Sequence, residues 1–355
     1  MNAHHRIQRQ AVWLLVLAAL TPVGRAQILH VDARTGDDGH PGTADRPLRS
    51  IAQAAILINA RAEPGPATVV IGPGLYSLDQ CVTFAAGRTF SEQERLTIRA
   101  SVLPDDPRWK PEAMPTILSI ENPKQAVGSN MPSETYSLKI QTSHVTVAGL
   151  RFLGNPSLRN WHCCIERIGE DLDDLVVTQC MFMGDPDTAN IYCAALATGD
   201  RFVVDHCVFS KCHGCTVFWD GLDGIGGKGC AMRSCIVTGA FISGVWTCQT
   251  AEDFEFHHNV IADCEYIWMR KAGDRQRYRI RDCAVVGNQY FSGYGRASGP
   301  IGPTGSEVAF DRDKIITDGR LVFTSDAKTH LAKESIGYAL GAGLFTHSAE
   351  QDGKQ

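Results

Sequence analysis

The sequence predicts an all-β solenoid, a parallel β-helix, over most of its 355 residues. A short pattern of alternating apolar residues recurs six times between residues 144 and 288, and alternation with a period of two is typical of strands. The copies start 30, 27, 28, 24 and 24 residues apart, a period that indicates stacked repeats. Each copy contains two short strands separated by a two-residue step, then a turn and a third apolar run, so each period supplies three strands to a coil.

The sixth position of the pattern predicts how the coils stack. It is occupied by small or polar residues, namely Gly149, Cys180, Cys207, Cys235, Asn259 and Cys283. Neighbouring strands lie about 4.8 Å apart, so residues at one position of successive coils form a column along the axis. A buried thiol behaves as a compact hydrophobe. We therefore expect one inward column that contains Cys180, Cys207, Cys235, Asn259 and Cys283.

The repeat also resembles that of a known superfamily. The segment FEFHHNVIADC, residues 254–264, is similar to the coil of right-handed parallel β-helix proteins of the pectate-lyase-like superfamily, with Cys replacing the usual Asn in most coils. The Gly-Asp…Gly-Thr…Pro loop within residues 36–47 resembles the start of secreted members. The resemblance covers nearly all of residues 28–345. It implies right-handed coils, a capping helix and a protein that acts on polysaccharide.

The two ends of the chain predict export and a single domain. Residues 1–26 combine a basic start with ten apolar residues from Ala11 to Leu20, the pattern of a secretory signal peptide. We expect a secreted or periplasmic monomer without a membrane span after cleavage, with one domain over residues 27–345 and a tail over 346–355. The net charge of −5 and the absence of a Lys/Arg run give no reason to expect nucleic acid as a partner.

The first segment, about residues 28–62, predicts a cap for the solenoid. Pro47 suits the first position of a helix, and apolar residues follow at helical spacing, namely Leu48, Ile51, Ala52, Ala55 and Ile58. Such a helix covers the first coil, which would otherwise expose unpaired strand groups.

The thirteen cysteines admit more than one interpretation. Export permits disulfides, and Cys163 or Cys164 with Cys193, or Cys212 with Cys215, are candidate pairs. Buried free thiols are the preferred interpretation. A zinc site at Cys212 and Cys215 is disfavoured because no second pair has a matching spacing.

The third strand of each coil predicts a binding surface. If Val217, Val245, Ile267 and Met269 point inward, then Phe218, Trp246 and Trp268 point outward at neighbouring heights. A row of exposed aromatic faces is suited to sugar rings, and contiguous exposed aromatic surface marks binding sites. If the alternation is displaced by one residue, some of these rings belong to the core instead.

Charged residues follow the aromatic ones and suggest two reactions. A uronate-polymer lyase needs a base and a cation, for which Arg270 and Lys271 are candidates. A glycoside hydrolase needs two carboxyls, for which Asp220, Asp223 and Glu166 are candidates. The lyase is slightly favoured by the Trp-Met-Arg-Lys segment. A non-catalytic carbohydrate-binding or surface protein remains the third hypothesis, because a solenoid does not fix function.

Aspartates at the ends of these strands suggest a cation. Asp200, Asp223 and Asp253 come at corresponding points of nearby coils, and carboxylate oxygens are the ligands that calcium needs. Gly-Asp is also ordinary turn chemistry, so calcium is an expectation with a structural alternative.

Overall fold

A computed structural model describes residues 26–122, 133–157, 160–220, 226–248, 250, 253–270, 274, 276–293, 300–301 and 310–346. The early elements are β1 Gln27–Val31, α1 Ile51–Ala60, β2 Ala67–Ile71, β3 Leu75–Leu78, β4 Val82–Phe84, β5 Leu96–Ala100, β6 Thr116–Ser119 and β7 Ser133–Ile140. The repeats supply β8 Val145–Ala148, β9 Arg151–Leu153, β10 Asn160–Arg167, β11 Leu175–Thr178, β12 Met181–Met183, β13 Cys193–Ala197, β14 Phe202–Asp205, β15 Val208–Ser210, β16 Gly214–Phe218, β17 Ala231–Arg233, β18 Ile236–Thr238, β19 Ser243–Thr247, β20 Glu255–His257, β21 Val260–Ala262, β22 Tyr266–Arg270 and β23 Tyr278–Val286. The last strands are β24 Tyr290–Gly293, β25 Pro300–Ile301 and β26 Phe310–Ile316, and short 3₁₀ turns lie at Pro111–Ala113 and Tyr338–Leu340.

The chain is a right-handed parallel β-helix. Two strands of each coil belong to a 17-stranded sheet, and the third belongs to a nine-stranded sheet with the order β4-β7-β10-β13-β16-β19-β22-β24-β25. The strand pairs of the described residues are parallel apart from β24 and β25. Leu175 pairs with both Val145 and Phe202, so the predicted repeats align coil on coil.

The predicted inward column is confirmed. Its four cysteines and Asn259 are fully buried, and the Asn259 side chain bonds the neighbouring coil by accepting from the Cys235 N–H at 3.0 Å and donating to the Met232 carbonyl at 2.8 Å. Gly149 was placed in this column wrongly. The pairing of Leu175 with Val145 puts the buried Leu150 opposite Cys180, while Gly149 (φ 72°) lies in the preceding turn.

The four column cysteines and the candidate pairing partners Cys163, Cys164, Cys193, Cys212 and Cys215 are buried free thiols. Burial raises the pKa of Cys264 and Cys283 to about 12, as expected for inert structural thiols. Among the described residues, no group of three or more His, Cys, Asp or Glu could hold a metal ion.

The N-terminal helix packs against the first coil, as predicted, but it begins later than Pro47. Ser50 is the N-cap, and its Oγ accepts from the Gln53 N–H at 3.0 Å. Ile51, Ala54, Ala55 and Ile58 are buried toward the solenoid. Leu48 is also buried, but it precedes the helix and forms a bridge with Val31 in β1. A hydroxyl that satisfies a first-turn N–H outweighs the preference of Pro for the first turn.

The last described segment, residues 317–346, covers one side of the 17-stranded sheet. Ile336 and Leu344 are buried against an outward apolar row that includes Val208, Ile236 and Val260. The Gly343 N–H donates to the Ser234 carbonyl at 2.9 Å. This side of the solenoid is therefore closed by the chain itself.

Two predictions concern the ends and membrane contact. The predicted signal peptide lies outside the described residues apart from Ala26, so secretion stays a prediction. Within the described part of the chain, no helix is long and apolar enough to cross a bilayer.

Candidate functional site

The outer face of the nine-stranded sheet carries one aligned row of side chains. Strand register places Glu166 beside Lys139 on one side and Leu196 on the other, and the row continues through Val217, Trp246 and Met269. Val217 and Met269 pack in small apolar clusters that also contain Trp246, separate from the interior core. This row, from Lys139 to Met269, is called the outer row below.

The structure reverses the predicted orientation of two aromatic residues. Phe218 and Trp268 are buried in the interior core, and the Trp268 Nε1 donates to the Thr247 Oγ1 at 2.8 Å. Trp246 points outward as predicted and is half-buried. Ile267 and Trp268 both face the core. This interruption of the alternation displaces the remaining residues of the strand by one, which brings Met269 outward.

The predicted base Arg270 is also buried, with none of its side chain exposed. Its guanidinium Nη2 lies 3.3 Å from the Asp274 Oδ1, and the Tyr278 hydroxyl donates to the Asp274 Oδ2 at 2.8 Å. An interior, ion-paired guanidinium cannot take a proton from a substrate, so the assignment of Arg270 as base is wrong. Asp220 is also buried, with 1% of its surface exposed, and not exposed as predicted. Lys271 lies outside the described residues.

Glu166 lies on the outer row in a cluster of ionisable groups. The Lys139 Nζ is 3.4 Å from the Glu166 Oε1 and lies 4.1 Å from the centre of the Tyr136 ring. The Tyr136 hydroxyl donates to the Glu134 Oε2 at 2.5 Å. Burial raises the pKa of Glu166, while the charge of Lys139 lowers it. The net shift is upward, so Glu166 retains its proton to a higher pH than an exposed glutamate.

Glu121 adds a third carboxyl near Lys139. Burial raises its pKa against the charge of Lys139, and its Oε2 is buried without a hydrogen-bond partner among the described residues. The sequence does not single out Lys139, Tyr136, Glu134 and Glu121, because the repeat pattern is loose before residue 144. The segment SETYSLKI does alternate, and that alternation could have placed Glu134 and Tyr136 on one face.

An aromatic row runs beside this cluster along successive coils. Trp161 stacks on Tyr192 with ring centres 5.0 Å apart, and Tyr192 stacks on His213 at 4.4 Å. Phe241 meets His213 edge-on at 5.2 Å. These rings are half-buried and come just before or at the start of the third strands. This row was not predicted from the sequence, because only aromatic residues near the centres of the third strands were considered.

The aspartates predicted to bind calcium close turns between coils. The Asp200 Oδ1 accepts from the Lys228 N–H at 2.8 Å, and the Asp253 Oδ2 accepts from the Gly229 N–H at 2.9 Å. These bonds fit the alternative of ordinary turn chemistry. Asp223 lies outside the described residues, and calcium stays a prediction.

Comparisons with known proteins give similarity in structure alone. No protein-family model matches the chain, and no curated protein matches it in sequence. A rhamnogalacturonan lyase is similar with a TM-score of 0.49 and 11% identity, over 75% of this chain and 70% of that one. A pectin methylesterase from Aspergillus niger has a TM-score of 0.45 and 12% identity, over 82% and 85%.

A GH136 lacto-N-biosidase from Eubacterium ramulus is a third similar structure. It has a TM-score of 0.42 and 11% identity, and the match covers 82% of this chain but 55% of that one. The parallel β-helix of the present chain is defined by its own strand pairing, described above.

Proposed function

We propose that this protein binds a polysaccharide along the outer face of the nine-stranded sheet and cleaves it with Glu166 as the general acid. One observation carries the proposal: Glu166, with its raised pKa, shares a face with the stacked rings of Trp161, Tyr192 and His213. Aromatic rings offer flat surfaces on which sugar rings stack. A perturbed carboxyl next to such a surface is a candidate for catalysis.

The carboxyls favour glycosidic hydrolysis. That reaction needs one protonated carboxyl and one ionised carboxyl. Glu166 protonates the leaving glycosidic oxygen as the bond to the anomeric carbon breaks. Glu134 accepts a hydrogen bond from Tyr136 and takes the proton of the water that attacks the anomeric carbon. The Lys139 Nζ, 3.4 Å from the Glu166 Oε1, stabilises the Glu166 carboxylate that results.

A uronate-polymer lyase is the second candidate, and Lys139 is the observation that favours it. A cation on the open face can neutralise the carboxylate of a uronate, which the reaction requires. Arg270, a candidate base in the lyase hypothesis, faces the interior and does not support that reaction. Lyase chemistry at Lys139 therefore remains a separate outcome of the experiment.

The experiment is incubation of the purified protein with neutral and acidic polysaccharides, followed by analysis of the products. New reducing ends without ultraviolet absorption are expected for the proposed hydrolase. Unsaturated products that absorb in the ultraviolet identify the lyase instead. Binding without products, measured by affinity electrophoresis, contradicts catalysis and identifies the non-catalytic carbohydrate-binding protein.

The pH dependence gives a prediction at Lys139. The Lys139→Met substitution removes the charge that lowers the pKa of Glu166, so this pKa rises further. A general acid works while protonated, and activity is lost as the pH rises through its pKa. The alkaline limb of the kcat profile therefore shifts to higher pH in the variant.

Lys314→Met is the matched control for this prediction. Lys314 is exposed and lies 3.8 Å from Asp282 on the other sheet, so its removal leaves the profile in place. An alkaline limb that stays fixed, or moves to lower pH, in Lys139→Met contradicts the role of Glu166 as the acid.

A further inference from the structure

A strip of small residues runs along the outer face between the aromatic row and the outer row. Register places Cys163, Cys193, Gly214 and Ser243 side by side on successive strands. Large side chains close the two ends, because Cys163 pairs with Tyr136 and Ser243 pairs with Tyr266. Cys163 and Cys193 belong to the outer apolar cluster with Val217. The strip from Cys163 to Ser243 is called the slot below.

Two polar atoms of β19 are buried and lack a partner within the described part of the chain. They are the Ser243 Oγ in the slot and the Trp246 Nε1 on the outer row, and Ser243 has none of its surface exposed. Native structures rarely leave such groups unsatisfied, because each has lost its bonds to water. An indole N–H can only donate, whereas a hydroxyl can both donate and accept. A ligand that satisfies both atoms must therefore offer an acceptor to the Trp246 Nε1 and a polar group to the Ser243 Oγ.

Gly214 leaves room for a small group beside the Ser243 Oγ. A Cβ at this position would lie 4.0 Å from the Ser243 Oγ and 3.3 Å from the Tyr192 carbonyl oxygen. A glycine in a strand interior weakens the strand and often marks a site where a ligand approaches closely. A group that enters above Gly214 therefore reaches Ser243 with the ring of Tyr192 at its side.

The chemistry of this end disfavours an anionic partner. In the described part of the outer face, Val217, Trp246, Tyr266 and Met269 near Ser243 are uncharged, and the residue before Tyr266 is the acid Glu265. His213, the nearest titratable group of the aromatic row, stacks on Tyr192. Arg270 is turned inward, and Lys139 pairs with Glu166 at the far end. A carboxylate here would lose its hydration without gaining a cation.

We propose that the slot is a subsite for a neutral sugar residue, which bonds Ser243 and Trp246 through its hydroxyl or ring oxygens. This inference rests on the proposed function and specifies the substrate: a polysaccharide that is uncharged at the position held by the slot. Trp246 is in register with Glu166 three strands away, about 14 Å at the usual strand spacing, and Ser243 lies farther still. The substrate therefore spans several sugar residues, and short glycosides cannot reach both places.

The test is calorimetric titration of the purified protein with tetrasaccharides. Neutral tetrasaccharides of glucose, mannose and galactose are compared with tetragalacturonate as the charged probe. We expect a neutral tetrasaccharide to bind, and Ser243→Ala and Trp246→Phe each to weaken it about fivefold, the effect of one lost hydrogen bond. Gly214→Val fills the approach and weakens binding more. Thr178→Val, on the other sheet, leaves binding unchanged.

Three outcomes overturn the inference, and they are distinguishable. If Ser243→Ala and Trp246→Phe, which barely alter the fold, bind the neutral ligand as the wild type does, the subsite is elsewhere. If tetragalacturonate alone binds and the same substitutions weaken it, the slot takes a charged sugar. Both outcomes leave cleavage by Glu166 intact. If none of the probes binds and none of the polysaccharides is cleaved, the result contradicts the proposed function as well.

Discussion

Glu166→Gln reduces the turnover of the polysaccharide substrate about 10²- to 10⁴-fold, the contribution of a positioned general acid. The amide keeps the size of the side chain but cannot donate a proton to the leaving oxygen. Substrate binding is retained, because the aromatic row is untouched. The measurement is kcat on the polysaccharide that the wild type cleaves, with the dissociation constant of a matching tetrasaccharide.

Glu255→Gln is the control for this substitution. Glu255 is an exposed, ion-paired glutamate on the 17-stranded sheet, with its Oε2 3.6 Å from Arg233, and its loss leaves kcat unchanged. Equal turnover in Glu166→Gln and the wild type assigns the acid to another carboxyl.

Asp274→Ala is expected to destabilise the protein by about 3–5 kcal/mol, the cost of leaving a buried charge without its partner. The side chains of Arg270 and Asp274 are both fully buried, and Asp274 also accepts from the Tyr278 hydroxyl. The measurement is the free energy of unfolding from urea denaturation, with Asp313→Ala as the control. Asp313 is half-exposed, with its Oδ2 3.6 Å from Arg279, and its loss costs below about 1 kcal/mol.

An Asp274→Ala protein as stable as its control would contradict the interior position of Arg270. The replacement of both partners, Arg270→Met with Asp274→Leu, is expected to restore much of the lost stability, because an apolar pair of similar volume avoids the desolvation of two charges. This pair is therefore structural, which is the physical reason that Arg270 is unsuited to proton transfer.

The repeats could be predicted from the sequence because one face of each strand is buried. A one-residue slip would expose the whole apolar set, so the apolar pattern determines the coil register, and the column of Cys180, Cys207 and Cys235 followed from it. Gly149 shows the limit of this reasoning. It was matched to the cysteines as a small residue, whereas its positive φ belongs to the turn before them.

The candidate site was harder to predict because side chains of the third strands do not alternate strictly between the inner and the outer face. Ile267 and Trp268 both face the interior, and a sequence gives no signal for such an interruption. Trp268 and Arg270 were therefore assigned to the wrong face, while Trp246 and Glu166 lie on the outer face. Lys139 and Tyr136 were missed because their coil has few of the apolar residues that define the repeat.

The most direct test of the central claim is the crystal structure of Glu166→Gln with a bound tetrasaccharide. The substitution keeps the ligand uncleaved and leaves the binding face intact. We expect the sugar rings to lie along the outer face of the nine-stranded sheet, with a glycosidic oxygen within hydrogen-bond distance of residue 166 and a ring beside Tyr192. A ligand bound instead on the 17-stranded sheet, along the ion pairs of Arg233 with Asp205 and Glu255, would contradict it.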